Sequence, residues 1–345
     1  MKKKAIILVF MILIITCGIL IGMKMAEEDN KEEIEQNTNN NTNSSAKTEE
    51  KQEKKIKIYS GNDRSIAVMI DNVGEAIPQT SLNDAAIVYE IIVEGGLTRF
   101  MAVFKGVKVD TIGPVRSARP YFLDYALEND SIFTHFGYSG QAKEDIEKLK
   151  INNVNGLVDS STFWRTDKKT APHNALTSTE KIIQKAKDYG YRTTSSERSV
   201  LNYVTKEVEL TDGTEANTIT IPYSSSNKVS FKYNKETGRY TRYVNNSVRK
   251  DWLTQKELTT KNIIISFINN HTTNEETKTD RQALENIGNL DGYYITNGKA
   301  IKIKCSKTTR GGKTVYKDLN GKEIEVNDGN TYIQIVPPSR TITIE

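Results

Sequence analysis

An α/β (α+β) N-terminal domain followed by a smaller β-rich C-terminal domain is the fold class this sequence predicts. Three observations carry the prediction. Apolar, β-branched runs alternate with helical segments from Ser65 to Gly190. From about Asn217 onward, short period-two stretches follow one another between turn residues. About 290 residues follow a polar N-terminal stretch, more than one core usually spans.

The chain opens with Lys2, Lys3 and Lys4 ahead of an unbroken apolar run from Ala5 to Met23. About 20 apolar residues suffice to cross a bilayer as a helix. The basic flank places the N-terminus in the cytoplasm and everything after Met25 outside. A cleaved signal would have a shorter core and a small-residue exit, which this run lacks. A lipoprotein signal would set a lipidated cysteine after a small residue. Cys17 instead follows Ile14-Ile15-Thr16, and the apolar run continues past it. The preferred reading is an uncleaved signal anchor over residues 1–25, with lipidation of Cys17 as the alternative. Residues 26–55, including Asn37-Thr38-Asn39-Asn40-Asn41, carry no apolar periodicity and read as a disordered tether. The other cysteine, Cys305, lies in an alternating strand pattern and reads as a small buried hydrophobe. An intradomain disulfide is excluded, because Cys17 lies in the anchor.

The N-terminal domain is expected over 56–205. Ser65 to Ile70 reads as a buried strand that delivers Asp71-Asn72 at its end. Ala85 to Val93 is a second strand, carrying Glu90 and running up to Glu94. The Gly95-Gly96 turn leads into a third, Thr98 to Phe104. Ala118 to Asn129 reads as a helix with Pro120 in its first turn. A short strand, Ser131 to His135, follows. Ser139-Gly140-Gln141 opens a helix through Leu149, and Ser178-Thr179-Glu180 opens another that ends at Gly190. The β-rich domain is expected over 206–345. Thr218 to Ile221, Val229 to Tyr233, Tyr240 to Val244, Ile301 to Lys304 and Tyr332 to Ile335 alternate in period two. Asn320-Gly321 and Asp328-Gly329 are hairpin signals.

Candidate functional residues concentrate between Ile112 and Thr177, which hold two of the three histidines. Arg116 and Arg119 sit three apart before the predicted helix. A helix starting here would put both guanidinium groups near its N-terminus, which favours anions. They either clamp a carboxylate or phosphate or pair with Asp71, Glu90 or Glu94. His135 is either a general acid or base or a satisfied core histidine. His173, beside Asn174, sits on an irregular loop of the kind that often carries function. Ser117 and Ser139 lie near the histidines but in no nucleophile elbow. The ligand-binding candidates are Arg99, Arg116, Ser117, Arg119, His135, Ser139, Arg165, His173 and Asn174. The catalytic candidates are Asp71, Glu94, His135 and His173. No metal-ligand spacing or phosphate loop is present, so no metal or cofactor is expected. The formal net charge of +4 does not support a nucleic-acid partner.

Several stretches together resemble one family. They are Val68 to Asn72, Pro78 to Leu82, Val93 to Arg99, Gly113 to Pro120, Phe163-Trp164-Arg165, Ala171 to Asn174 and Asn320 to Pro337. The chain is similar to the YerB-like envelope lipoproteins, a domain of unknown function (DUF3048) with N- and C-terminal parts. The resemblance covers nearly all of the chain after the tether. It implies an exported, membrane-attached protein of a Gram-positive cell envelope; no established activity, cofactor or set of catalytic residues travels with the family. The weak lipobox is the departure from the family pattern.

The function this suggests is binding or regulation of a cell-wall component. The ligand pocket would be lined by Arg116, Arg119, Arg165, His135 and His173. A cell-wall hydrolase or transferase using Asp71 or Glu94 with His135 is one alternative, and a scaffold for cell-wall synthesis proteins is another. Expected partners are the membrane, through residues 5–23, and peptidoglycan or envelope proteins.

Overall fold

The computed structural model describes residues 55–273 and 281–345. The expected anchor and tether, apart from Lys55, lie outside the described residues. Among these residues no helix is long and apolar enough to cross a membrane.

The protein is mostly β, with three α-helices among the described residues, all in the N-terminal half. Strands β1 (Ile66–Ile70), β2 (Ile87–Ile92), β3 (Thr98–Phe104), β4 (Ile132–His135) and β5 (Asn153–Asn155) alternate with α1 (Pro120–Glu128) and α2 (Gly140–Lys148). Helix α3 (Thr179–Asp188) follows. Ser139 and Ser178 cap α2 and α3 by accepting from Ala142 N and Lys181 N. Pro120 occupies the first turn of α1, where its missing N–H costs nothing.

The strands of both halves join in one eleven-stranded sheet. Its path runs Val315–Asp318, Lys299–Lys307, Gly288–Thr296, Asn262–Phe267, Thr331–Val336, β2, β3, β1, β4, β5, and the eleventh strand, Thr214–Glu215, pairs with Lys299–Lys307 off this path. The seam between the halves is a parallel pairing of β2 with Thr331–Val336, in register from Ile87↔Thr331 to Ile91↔Ile335. Both halves lie in one compact unit.

The sheet is covered on both faces, which is why its central strands read as continuous apolar runs. Ile66, Val68 and Ile70 face one way, Ala67 and Met69 the other. The first set packs with Ile219, Ile221, Tyr223, Phe231 and Tyr240 of a second, six-stranded sheet. The other set packs with Tyr121, Phe122 and Tyr125 of α1. Cys305 is buried and free, and burial pushes its thiol pKa up to about 12.

Two local expectations are corrected. The Asp328-Gly329 turn closes no hairpin. Val326–Asn327 pairs with Tyr203–Val204, while Thr331–Val336 is inserted between β2 and Asn262–Phe267. A central strand with two parallel neighbours outweighs the local turn preference. The second concerns Arg116, which is not on a helix. Residues 112–118 run extended beside β1, and the helix starts only at Pro120.

Candidate functional site

The site forms where β1 ends. Asp71 N donates to Pro114 O at 2.8 Å, and Arg116 N donates to Met69 O at 2.9 Å. The 112–118 segment is thereby stitched to β1. On its other side Val115 N donates to Ala175 O, and Ile112 exchanges two bonds with Thr177. This second ladder brings the loop before Ala175, and with it His173, to the same place.

Three predicted residues meet here. The Asp71 carboxylate is fully buried. His173 Nδ1 donates to its Oδ2 at 2.7 Å. A carboxylate only accepts, so Nδ1 carries a proton and Nε2 is left free of this bond. Arg116 Nε lies 3.1 Å from the same oxygen, a charge contact not aligned as a hydrogen bond. His173 and Arg116 are 16% and 27% exposed, so the carboxylate is hidden while its partners reach the surface. Among the described residues, neither His173 Nε2 nor the terminal nitrogens of Arg116 have a protein partner. Asp71 Oδ1 is buried without one.

Arg99 and Arg119 complete the charge cluster. Arg99 enters from β3 and donates through Nη1 to Ser117 O at 2.6 Å, while its buried Nε has no partner. Burial, then the charge of Arg119, bring its pKa down to about 10, against the pull of Asp71 and Glu94. Arg119 pairs with Glu94 through Nε and with Ala118 O through Nη1. Burial works to raise the Glu94 pKa, but the hydrogen bond and charge of Arg119 hold it below the usual glutamate value. Three guanidinium groups thus stand against two carboxylates.

The remaining candidates have other places. His135 is fully buried, with Nδ1 2.7 Å from Gly137 O and Nε2 3.1 Å from Asn153 Oδ1. Burial lowers its pKa despite those bonds. Its expected partnership with Asp71 or Glu94 is not formed, because both ring nitrogens are occupied inside the core and each carboxylate has another partner. Arg165 donates to Asn174 Oδ1 at 2.6 Å and lies over the Phe136 ring. Ser117 Oγ donates to Phe136 O. Arg119 and Ser139 line a separate cleft of about 700 Å³ between the α1–α2 region and residues 281–287. The single pocket expected to hold Arg116, Arg119, Arg165, His135 and His173 is therefore divided. No group of His, Cys, Asp and Glu suited to a metal is found among the described residues.

The site also has supporting neighbours, of which Gln79 and Arg242 are not among the candidates from the sequence. Gln79 Nε2 donates to Asp71 O and to Asn72 Oδ1, and Asn72 donates to Thr98 Oγ1 and Glu90 Oε1. Glu90, fully buried, receives Arg242 Nη2 at 2.7 and 2.8 Å. The β-rich half thus supports the loop that carries Asp71. One signal for Arg242 was available. It shares the inward phase of Tyr240 and Val244 in its strand, a place where an arginine is costly unless paired.

Comparison with known proteins agrees with this architecture. Residues 48–192 match the family model described as "Protein of unknown function (DUF3048) N-terminal domain", and residues 219–333 match its C-terminal counterpart. The chain is 33% identical over 286 residues to a Bacillus subtilis protein named "Putative lipoprotein YerB", covering 79% of this chain and 81% of that protein. The crystal structure of YerB from Bacillus subtilis superposes with a TM-score of 0.73 at 32% identity, covering 82% of this chain and 94% of the other.

Proposed function

This chain belongs to the DUF3048 family, and on that premise we propose that it is an extracytoplasmic, membrane-attached envelope protein that binds an anionic group of a cell-wall component through Arg116 and His173. The basic and then apolar N-terminus, and the lipoprotein name of the Bacillus relative, support the compartment. A lipid on Cys17 and an uncleaved anchor would both hold the chain on that side.

One observation carries the binding reading. The cluster holds three arginines against two carboxylates, and the two side chains that reach the surface, Arg116 and His173, are fixed to a carboxylate that solvent does not reach. Asp71 takes only the Nε of Arg116, leaving the guanidinium fork to meet a carboxylate or phosphate in a bidentate way. His173 Nε2 adds a second donor when the ring is protonated. Because both side chains are anchored, little side-chain freedom is lost on binding.

A second reading has its own support in the 2.7 Å Asp71–His173 bond. A buried carboxylate that orients a histidine is how a general base is held. No serine, threonine or cysteine side chain bonds His173 Nε2 among the described residues, so the base would act on water or on a hydroxyl of the substrate.

The test is retention of the full-length protein, in mild detergent, on purified cell-wall sacculi. Retention that falls with salt and is lost in Arg116→Ala and His173→Ala, with both variants still folded, supports binding. Retention unaffected by Arg116→Ala sinks it. Soluble fragments released by wild type but not by His173→Ala would establish the second reading instead.

A further inference from the structure

We propose that the β-rich half carries a separate saccharide-binding groove, built on Phe267 and Tyr293 and specific for a sugar chain bearing a carboxylate. An open cleft of about 530 Å³ lies between the strands Asn262–Phe267 and Gly288–Thr296 and the segment from Pro338 to Ile342. That volume is in the range of small-ligand sites. Its position follows from the two-layer build. The core between the sheets is closed in the middle, but Phe267, Tyr293 and Ile342 are only partly buried against it. Gly292 sets the strands close together, since a side chain there would meet Ile265 O at 2.3 Å. Tyr293, next in the chain, is thereby placed beside Phe267, with ring centroids 6.1 Å apart and planes at 78°.

The lining has the chemistry of a sugar site. The C–H face of a pyranose is apolar and packs on an aromatic surface, while its hydroxyl groups need fixed donors and acceptors around that surface. Two such groups are already oriented. Asp291 Oδ1 accepts from Lys304 at 2.6 Å, and Asn289 Oδ1 accepts from Ser306 at 2.7 Å. Each keeps its other terminal atom without a protein partner among the described residues. Arg340 supplies the charge specificity. Its guanidinium has no partner among the described residues, and Arg340 also lines the adjoining cleft of about 360 Å³ beside Gly95 and Gly96. A chain laid along both clefts passes this cation, so a carboxylate on the sugar is favoured over a neutral unit.

This groove does not depend on the Arg116–His173 reading, and the experiment separates them. The full-length protein in detergent micelles is titrated calorimetrically with two probes. One is a hyaluronan tetrasaccharide, which alternates N-acetylglucosamine with glucuronate. The other is the neutral tetramer of N-acetylglucosamine. Both should bind saturably, the acidic one about fivefold tighter. Tyr293→Ala should weaken both by about tenfold or more, and Arg340→Ala should erase the preference. Tyr293→Phe keeps the ring and should keep binding, which separates loss of the surface from loss of the fold. Arg116→Ala should leave affinity for the neutral tetramer unchanged. Undiminished affinity in Tyr293→Ala, absence of saturable binding by wild type, or loss of neutral-tetramer binding in Arg116→Ala would each overturn the groove.

Discussion

Two arginine–carboxylate centres stand side by side in this molecule, joined by Asn72, and they differ in one respect. Glu90 with Arg242 is closed to solvent on both sides, the side chains being 0% and 2% exposed. Asp71 with Arg116 and His173 hides only the acid. The chemistry is nearly the same, and the difference is what each cation is free to do. Arg242 spans from the β-rich half to the seam and can only hold structure. Arg116 keeps donors, and His173 its Nε2, that an outside group can reach. Exposure of the cation thus separates a structural pair from a candidate site.

The strongest way to break this comparison is to remove the closed acid. Glu90→Ala leaves Arg242 charged and unpaired inside the protein, and losing one partner of a buried pair costs about 3–5 kcal/mol. Denaturant unfolding should show this loss. A cost under about 1 kcal/mol would mean that Glu90 is not what fixes the two halves at this seam. Asp71→Asn should cost less, about 1–3 kcal/mol, since its partners can turn to water. It should still abolish retention on sacculi, because Arg116 and His173 lose their anchor.

Arg116→Ala sharpens the comparison from the other side. The buried Asp71 keeps His173 as a partner, so unfolding should shift by about 1–3 kcal/mol, less than for Glu90→Ala. Retention should be lost nonetheless. A stability loss as large as that of Glu90→Ala would put Arg116 in the structural class.

His135 supplies a pH test of a buried group with no outward atom. Burial keeps its folded pKa below the ordinary 6.5, so the folded ring stays neutral where the unfolded ring takes a proton. Its contribution is therefore full above about pH 6.5 and is lost as pH falls below that value, until the folded ring protonates too. Urea unfolding at pH 7.5, 6 and 5 should show the decline, and His135→Gln should remove it.

The contrast also explains what was legible in the sequence. Strands such as Ile66–Ile70 and Thr98–Phe104 were readable because burial on both faces writes an unbroken apolar run. The helix starts were readable from Ser139, Ser178 and Pro120. The shared sheet was not, because nothing local to Thr331–Val336 says that its neighbour is Ile87–Ile92. Asp71, Arg116 and His173 were each visible as residue types on loops. Their meeting was not, since it depends on a ladder from Met69 through Val115 to Ala175 that carries no periodicity. In sequence His135 reads as a general acid or base or as a satisfied core histidine, and His173 as a loop residue. What separates them is whether both ring nitrogens are used, and only the tertiary structure decides that.

The third pair, Glu94 with Arg119, lies between the two extremes and should give the smallest effect. Both side chains are partly exposed, at 27% and 17%. Burial and the arginine act in opposite directions on the acid, and the arginine prevails, so the folded pKa lies below the ordinary 4.5. The pair therefore stabilises the fold above about pH 4.5, and that contribution is lost as pH falls through the folded value. In Arg119→Ala the burial effect is left without its main opponent. The Glu94 pKa should then move above 4.5, and the sign reverses, so that protonation on lowering pH stabilises the variant relative to its neutral-pH state. A carboxyl-carbon NMR titration of Glu94 in the two proteins reads this directly. A Glu94 pKa that does not rise in Arg119→Ala would show that the arginine does not control this acid. The three-against-two charge count behind the proposed anion site would then lose one of its pairs.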